Sequence, residues 1–285
     1  MQHVMLPASY VESARAYLTG ERQPVEPRDA ATVLLLRDGD HGPEVYLLRR
    51  QTSMAFAGGM CVFPGGGVDA RDSDREIRWA GPAPERWAEL LVTDVAHARA
   101  LVCAAVRETF EESGVLLAGD AADTVVSDTT GEDWERERAA LEARELAFTD
   151  FMADRGLVLR TDLLAPFRAW LTPEFEPRRY RTWFFAALLP PGQRTRDVST
   201  ESDQVAWLPA RHVVEEVEAD RVAMLPPTYQ SCLEVAQHDD AAAVLAAGAD
   251  RVLEMFTPEL VEDDGGATMT SPRWMHHLLA ARERR

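Results

Sequence analysis

The sequence contains no lysine: each of its 30 basic residues is arginine. That absence excludes Schiff-base chemistry and the phosphate-gripping lysine of P-loop nucleotide sites, since both need a primary amine. Positive charge is outnumbered. Against 48 acidic residues the formal net charge is −18, which argues against nucleic acid or an anionic membrane as partner, because phosphates reward clustered cations. Any anionic substrate therefore needs a local cation. Cysteine is sparse too. Cys61, Cys103 and Cys232 are odd in number and far apart, so no CxxC pair offers a zinc site or a redox dithiol. Long apolar runs are missing: the stretches Trp183 to Pro191 and Ala241 to Gly248 fall far short of the roughly 18 residues that suggest a membrane span. Met1 to Gly20 mixes Glu12 and Arg15 into its apolar pattern and lacks the uninterrupted core of a signal peptide. A cytoplasmic location is expected, and a homodimer is left open.

What remains is ordinary globular composition, 46% hydrophobic and 27% charged over 285 residues. That length suits one elaborated domain. Ser9 to Leu18 reads as a short helix. Ala31 to Arg37 and Glu44 to Arg50 read as strands of a hairpin around Asp38 to Pro43. A short strand, Met60 to Phe63, runs into Pro64-Gly65-Gly66-Gly67, whose backbone can approach a ligand closely. Residues 73–96 form an excursion anchored by Trp79, Trp87, Leu90 and Leu91. A long helix then runs from His97 to Ser113, with Gly114 as its C-cap glycine. Trp134 to Arg155 reads as an exposed amphipathic helix or helix pair, architectural in role. Tyr180 to Leu189 and Gln204 to Leu208 are late strands. Helices are predicted at Pro209 to Glu218, Pro227 to His238 and Asp239 to Ala247. The organisation expected is one domain over 1–285, with insertions at about 73–96 and 131–156 and a helical extension at about 209–285.

On a helix with ~100° between residues, Glu108, Glu111 and Glu112 share one face. Val102, Val106 and Phe110 fall opposite, so the helix can bury one flank and present three carboxylates from the other. Like charges at these spacings repel, and a divalent cation would offset the cost. Hard oxygen ligands in this number suit Mg²⁺ or Mn²⁺. Arg107 beside them can hold a carboxylate by a forked hydrogen bond. The plain alternative is a solvated helix face with ordinary ion pairs.

The run Arg107-Glu108-Thr109-Phe110-Glu111-Glu112-Ser113-Gly114-Val115 resembles the second half of the signature of Nudix hydrolases, R-E-x-x-E-E-x-G-hydrophobic. Phe63-Pro64-Gly65-Gly66 resembles its opening, with Asp72 standing where a glutamate is usual. The family places seven residues between that acid and the arginine; here residues 73–106 intervene, 34 in all. A looped-out insertion accommodates this, because loop-closure entropy grows slowly with length. Upstream, Tyr46 to Gln51 with Gly59 and Phe63 to Gly66 looks like the additional signature of Nudix coenzyme A diphosphatases, with Leu48 and Gln51 replacing its Thr and Ser. The stretches Trp170 to Glu174 and Arg178 to Phe185 resemble a split-box subgroup that includes peroxisomal animal coenzyme A diphosphatases.

The resemblance implies an α/β/α sandwich with a mixed central sheet and helical insertions. It implies hydrolysis of a coenzyme A-like or other nucleoside diphosphate-X substrate with Mg²⁺ or Mn²⁺. Glu108 and Glu112 would be direct ligands, Glu111 ligand or base, and the Gly66 carbonyl a further oxygen. Arg107 and Glu201 complete the candidate catalytic set, with Asp203 competing for the place of Glu201. His97 and the His276-His277 pair form no metal spacing. Trp170 and Trp183 could stack on an adenine, though core packing is the ordinary role of such residues. Three other readings stay open: an ADP-ribose or NADH pyrophosphatase, a noncatalytic nucleotide-binding module, and an acidic helical protein with a chance motif.

Overall fold

The structure is a computed structural model that describes residues 8–54, 57–263 and 266–283. After helix α1 (Ala8–Leu18), strands β1 (Arg28–Gly39) and β2 (Gly42–Arg50) form the expected hairpin, pairing Leu36 with Val45 and Gly39 with Gly42. Two short strands follow, β3 (Cys61–Val62) along β2 and β4 (Gly65–Gly67) along β1. The excursion carries β5 (Arg78–Ala80) and α2 (Pro84–Leu91) and leads into α3 (Val95–Ser113). Next come β6 (Ala118–Gly119), α4 (Glu132–Glu142), α5 (Phe148–Asp154) and β7 (Val158–Arg160). Strands β8 (Leu164–Leu171), β9 (Tyr180–Leu188) and β10 (Ser202–Pro209) complete the body of the sheet. Helices α6 (Ala210–Glu218), α7 (Pro226–Val235) and α8 (Ala241–Gly248) precede β11 (Met255–Phe256). The hairpin β12 (Leu260–Asp263) and β13 (Gly266–Met269), then α9 (His276–Glu283), end the described chain.

The main sheet has the order β10-β2-β1-β9-β8-β11. It is mixed: β1 with β9 and β8 with β11 run parallel, and the other neighbours on that path antiparallel. β1 reads as an unbroken apolar run because both its faces are covered. Val33 and Leu35 point into a core with Tyr46, Leu48, Phe185 and helices α2, α3 and α5, whereas Leu34 and Leu36 meet Val45, Leu47, Phe184 and helices α6 to α8. Helices on both faces of a mixed sheet make the α/β/α sandwich anticipated above. β5, β7 and β6 form a separate three-stranded sheet.

Three local expectations differ from the fold. β8 was not anticipated, because Pro166 and Arg168 interrupt a strand-like alternation; the register with β9 shifts between those two residues, which accommodates a proline that cannot donate to the ladder. The C-terminal stretch is not helical throughout, since β11 joins the sheet and β12 pairs with β13. Strands of two to four residues are too short to leave a readable period. The Trp134 to Arg155 segment is less exposed than its charge suggests: Phe110 of α3 stacks on Phe151 with centroids 5.4 Å apart and meets Trp134 edge-on at 6.3 Å.

Candidate active site

Helix α3 starts at Asp94, whose side chain accepts from the His97 N–H, and stops at Gly114 in the left-handed region, φ 72°. Its final turns carry the glutamates. The predicted division into an apolar flank and an open carboxylate face is too simple: α3 is buried along most of its length, with Glu111 6% and Glu112 8% exposed. β4 and the turn around Asp72 close over that side, while α4 packs on the Phe110 flank and reaches the Glu111 carbonyl.

The Gly-rich turn fits against the helix. β4 pairs with β1, Ala31 opposite Gly66, and the Gly65 N–H donates to Glu112 Oε2 at 2.8 Å. A β-carbon at Gly66 would lie 2.6 Å from the Glu108 carboxylate, and one at Gly65 2.5 Å from the Ala31 carbonyl. At Gly65 the clash is with backbone, so glycine is required there; at Gly66 a side chain would instead displace the Glu108 carboxylate.

Asp72 is not displaced by the long insertion. A capping box at Asp69 winds Ala70–Ser73 into a 3₁₀ turn, and Asp72, 1% exposed, takes Arg107 in a fork, Nε to Oδ1 at 2.7 Å and Nη2 to Oδ2 at 3.0 Å. The inserted residues begin only after this residue and end at Asp94, where α3 starts, and α2 within them packs into the main core. Arg107 also donates from Nη2 to the Gly67 carbonyl at 2.9 Å and from Nη1 to Glu108 at 2.7 Å, with longer contacts to Glu111 at 3.2 and 3.3 Å. One guanidinium thus ties the Gly turn, Asp72 and two of the three glutamates together.

It does not neutralise them. Burial, then the neighbouring Glu108 charge, pushes Glu111 up to about 8, and the same two causes raise Glu112 well above its ordinary value. Burial raises Glu108 against the opposing pull of Arg107. Among the described residues no three His, Cys, Asp or Glu side chains already converge as a metal-holding group. In this arrangement Glu108 and Glu111 lean on Arg107 and Glu112 on the Gly65 amide. The donor chemistry nonetheless fits a hard divalent cation: buried, mutually repelling carboxylate oxygens beside a backbone turn.

Glu201 stands just before β10, near enough for its negative charge to add to the rise of both Glu108 and Glu112. Its side chain is 52% exposed and accepts from Arg50 Nη2 at 2.9 Å. Asp203 is instead forked by Arg49 at 2.8 and 3.1 Å, which holds its carboxyl below the ordinary range. Trp170 and Trp183 are buried in the two cores. His97 packs edge-on against Trp183 at 5.2 Å, and a ring nitrogen of His276 meets the Ser271 carbonyl; neither joins the cluster.

Sequence reasoning passed over three residues. Arg50 lies within the upstream signature and is attractive to Glu112 as well as paired with Glu201. Arg138 and Glu142, read as exposed helix charges, reach the end of α3 and Thr200 in the loop before β10. Only Arg50 carried a signal in sequence.

Residues 82–234 match the profile of the NUDT19 Nudix domain. A Caenorhabditis elegans relative, nudix hydrolase 7 by name, is 25% identical over 213 residues, 75% of this chain; the chain covers 62% of that protein's length. A crystal structure of a NUDIX hydrolase from Alicyclobacillus acidocaldarius is 26% identical and superposes with a TM-score of 0.68, covering 79% of this chain and 98% of that one.

Proposed function

This chain belongs to the Nudix hydrolase family, with a Nudix domain of the NUDT19 type, and on that premise we propose that it hydrolyses the diphosphate linkage of a coenzyme A-like substrate, using Mg²⁺ or Mn²⁺. The observation that carries the reading is the closure of Gly65 and Gly66 onto Glu112 and Glu108. It brings both halves of the signature into contact despite the intervening excursion. The coenzyme A assignment draws further support from the NUDT19-type match and from the upstream signature at Tyr46 to Gln51.

Hydrolysis adds water across one P–O–P linkage: the water oxygen bonds to phosphorus, the bridging P–O bond breaks, and a water proton passes to a carboxylate. Glu108 and Glu112, with the Gly66 carbonyl, would hold the cation. A dication bound there supplies positive charge against the diphosphate oxygens and favours deprotonation of the attacking water. Arg107 keeps Glu108 and Glu111 oriented, and Asp72 keeps Arg107 oriented, by the fork described above. Glu201 approaches from a different element, so it can take the proton while the helix glutamates hold charge. Glu111 is the alternative base.

Purified protein with Mg²⁺ or Mn²⁺ is incubated with coenzyme A, acyl-coenzyme A, ADP-ribose, NADH and diadenosine polyphosphates, and products are identified by mass. Release of 3′,5′-ADP from coenzyme A is expected. AMP from ADP-ribose or NADH alone would overturn the coenzyme A reading in favour of a dinucleotide-type pyrophosphatase. Nucleotide binding without turnover would leave a noncatalytic module.

A further inference from the structure

Glu201 and the glutamate helix belong to elements far apart in sequence, and one continuous set of hydrogen bonds on α4 spans them. The carbonyl of Glu111 lies in the last turn of α3, where carbonyls lose their intrahelical partners. Arg138 Nη1 donates to it at 2.6 Å and to Glu142 Oε2 at 2.9 Å. The other oxygen of Glu142 accepts twice from Thr200, from the backbone N–H at 2.7 Å and the hydroxyl at 2.8 Å. Thr200 immediately precedes Glu201, whose carboxylate accepts from Arg50 Nη2; Gln51, directly after β2, donates to the Thr200 carbonyl at 2.7 Å and the Glu201 carbonyl at 3.0 Å, so Glu142 supplies the link to α3 and not the link to the sheet. α4 is itself fixed against α3, with Trp134 on Phe110 and the Arg155 guanidinium 3.6 Å over the Trp134 ring.

We infer that Glu142 is a positioning residue: through Arg138 on one side and Thr200 on the other, it sets the place of Glu201 relative to the Glu111 end of the carboxylate helix. An isolated exposed ion pair would contribute little. Glu142 differs because both its oxygens are used, on partners from different elements, and one bond is a charge-assisted contact to a backbone amide. Glu135 provides an internal comparison. It binds the same Arg138 from the same helix, at 2.8 Å to Nε, and its other oxygen pairs with Arg196 at 3.3 Å, so it matches Glu142 in all but the bond to Thr200. The helical insertion is thereby a support for the site and not only a cover for the core.

The catalytic consequence rests on the reading of Glu201 as proton acceptor; the strut rests on contacts alone. The test therefore has two arms, run on Glu142→Ala, Glu135→Ala, Glu201→Gln and the Glu142→Ala/Glu201→Gln double variant. Hydrogen exchange should accelerate at the Thr200 and Glu201 amides in Glu142→Ala and stay unchanged there in Glu135→Ala. With coenzyme A and Mg²⁺, Glu142→Ala should lower kcat by about 10- to 100-fold with KM within about twofold, as expected of a displaced catalytic group. In the Glu201→Gln background it should cost nothing further. Unchanged exchange in Glu142→Ala, or single losses that multiply in the double variant, would overturn the inference. If coenzyme A is not turned over, or Glu201→Gln turns over like the parent, the functional reading has failed. The exchange comparison between Glu142→Ala and Glu135→Ala then decides the strut by itself.

Discussion

Arg107 concentrates the energetics of the site, because one buried guanidinium serves Asp72, Glu108, Glu111 and the Gly67 carbonyl. Removing Asp72 takes away its forked partner and leaves a buried cation short of acceptors. Asp72→Ala should therefore destabilise the fold by about 3 kcal/mol, the lower end for a broken buried pair since other partners remain; urea unfolding measures it, and a cost below about 1 kcal/mol would contradict the geometry. The glutamates behave oppositely. Each is costly to ionise in the cation-free protein, so Glu112→Gln should raise the melting temperature in EDTA, abolish the further rise on adding Mg²⁺, and remove turnover. The pH dependence follows from Glu111. Its folded value, about 8, lies above the roughly 4.3 of an unfolded glutamate, so between those values the folded state holds a proton that the unfolded state has released. Stability in EDTA should consequently fall as pH rises from about 4.3 through 8, and saturating Mg²⁺ should flatten that fall. A rising profile over the same window would show that the cluster is not desolvated as the structure has it.

Among the elements, β4 and α3 matter most, because their contact joins two stretches separated by the excursion. Gly66→Ala would place a methyl group where the Glu108 carboxylate lies, with the backbone pairing to Ala31 left available. Turnover should drop by about 100-fold while unfolding shifts little, since displacing a carboxylate proposed to hold the cation misplaces the charge that the reaction needs. At the end of α3 the demand is conformational: Gly114 has φ 72°, and a β-carbon there would meet the Arg196 guanidinium at 2.6 Å. Gly114→Ala should cost about 1–2 kcal/mol in denaturant unfolding, the ordinary penalty of a left-handed residue with a side chain. Retention of full stability would mean that the helix can end differently.

For the molecule as a whole, two cores back to back on one sheet have to overcome the self-repulsion of a chain with net charge −18. Screening shortens the reach of that repulsion to about 8 Å near 0.15 M salt. Raising NaCl from near zero to that level should raise the melting temperature; a decrease would mean that surface ion pairs such as Arg86 with Glu89 and Asp250 outweigh the net charge.

Features encoded over a few neighbouring residues were legible in the sequence itself. The hairpin around Asp38 to Pro43, the helix ending at Gly114, the Gly-rich turn and the placing of Glu108, Glu111 and Glu112 within one helical segment all depend on local conformation and period. The family resemblance was carried by the same short runs. Local pattern could not say that Asp72, 35 positions before Arg107, lies in its fork, because a loop's length does not fix where its ends meet. Nor could it foretell that the carboxylate helix is enclosed on nearly all sides, that β8 bends past Pro166, or that Glu142 reaches Thr200. Those facts depend on which elements become neighbours, and that is decided by burial of both faces of the sheet at once, a property of the folded chain and not of any segment of it.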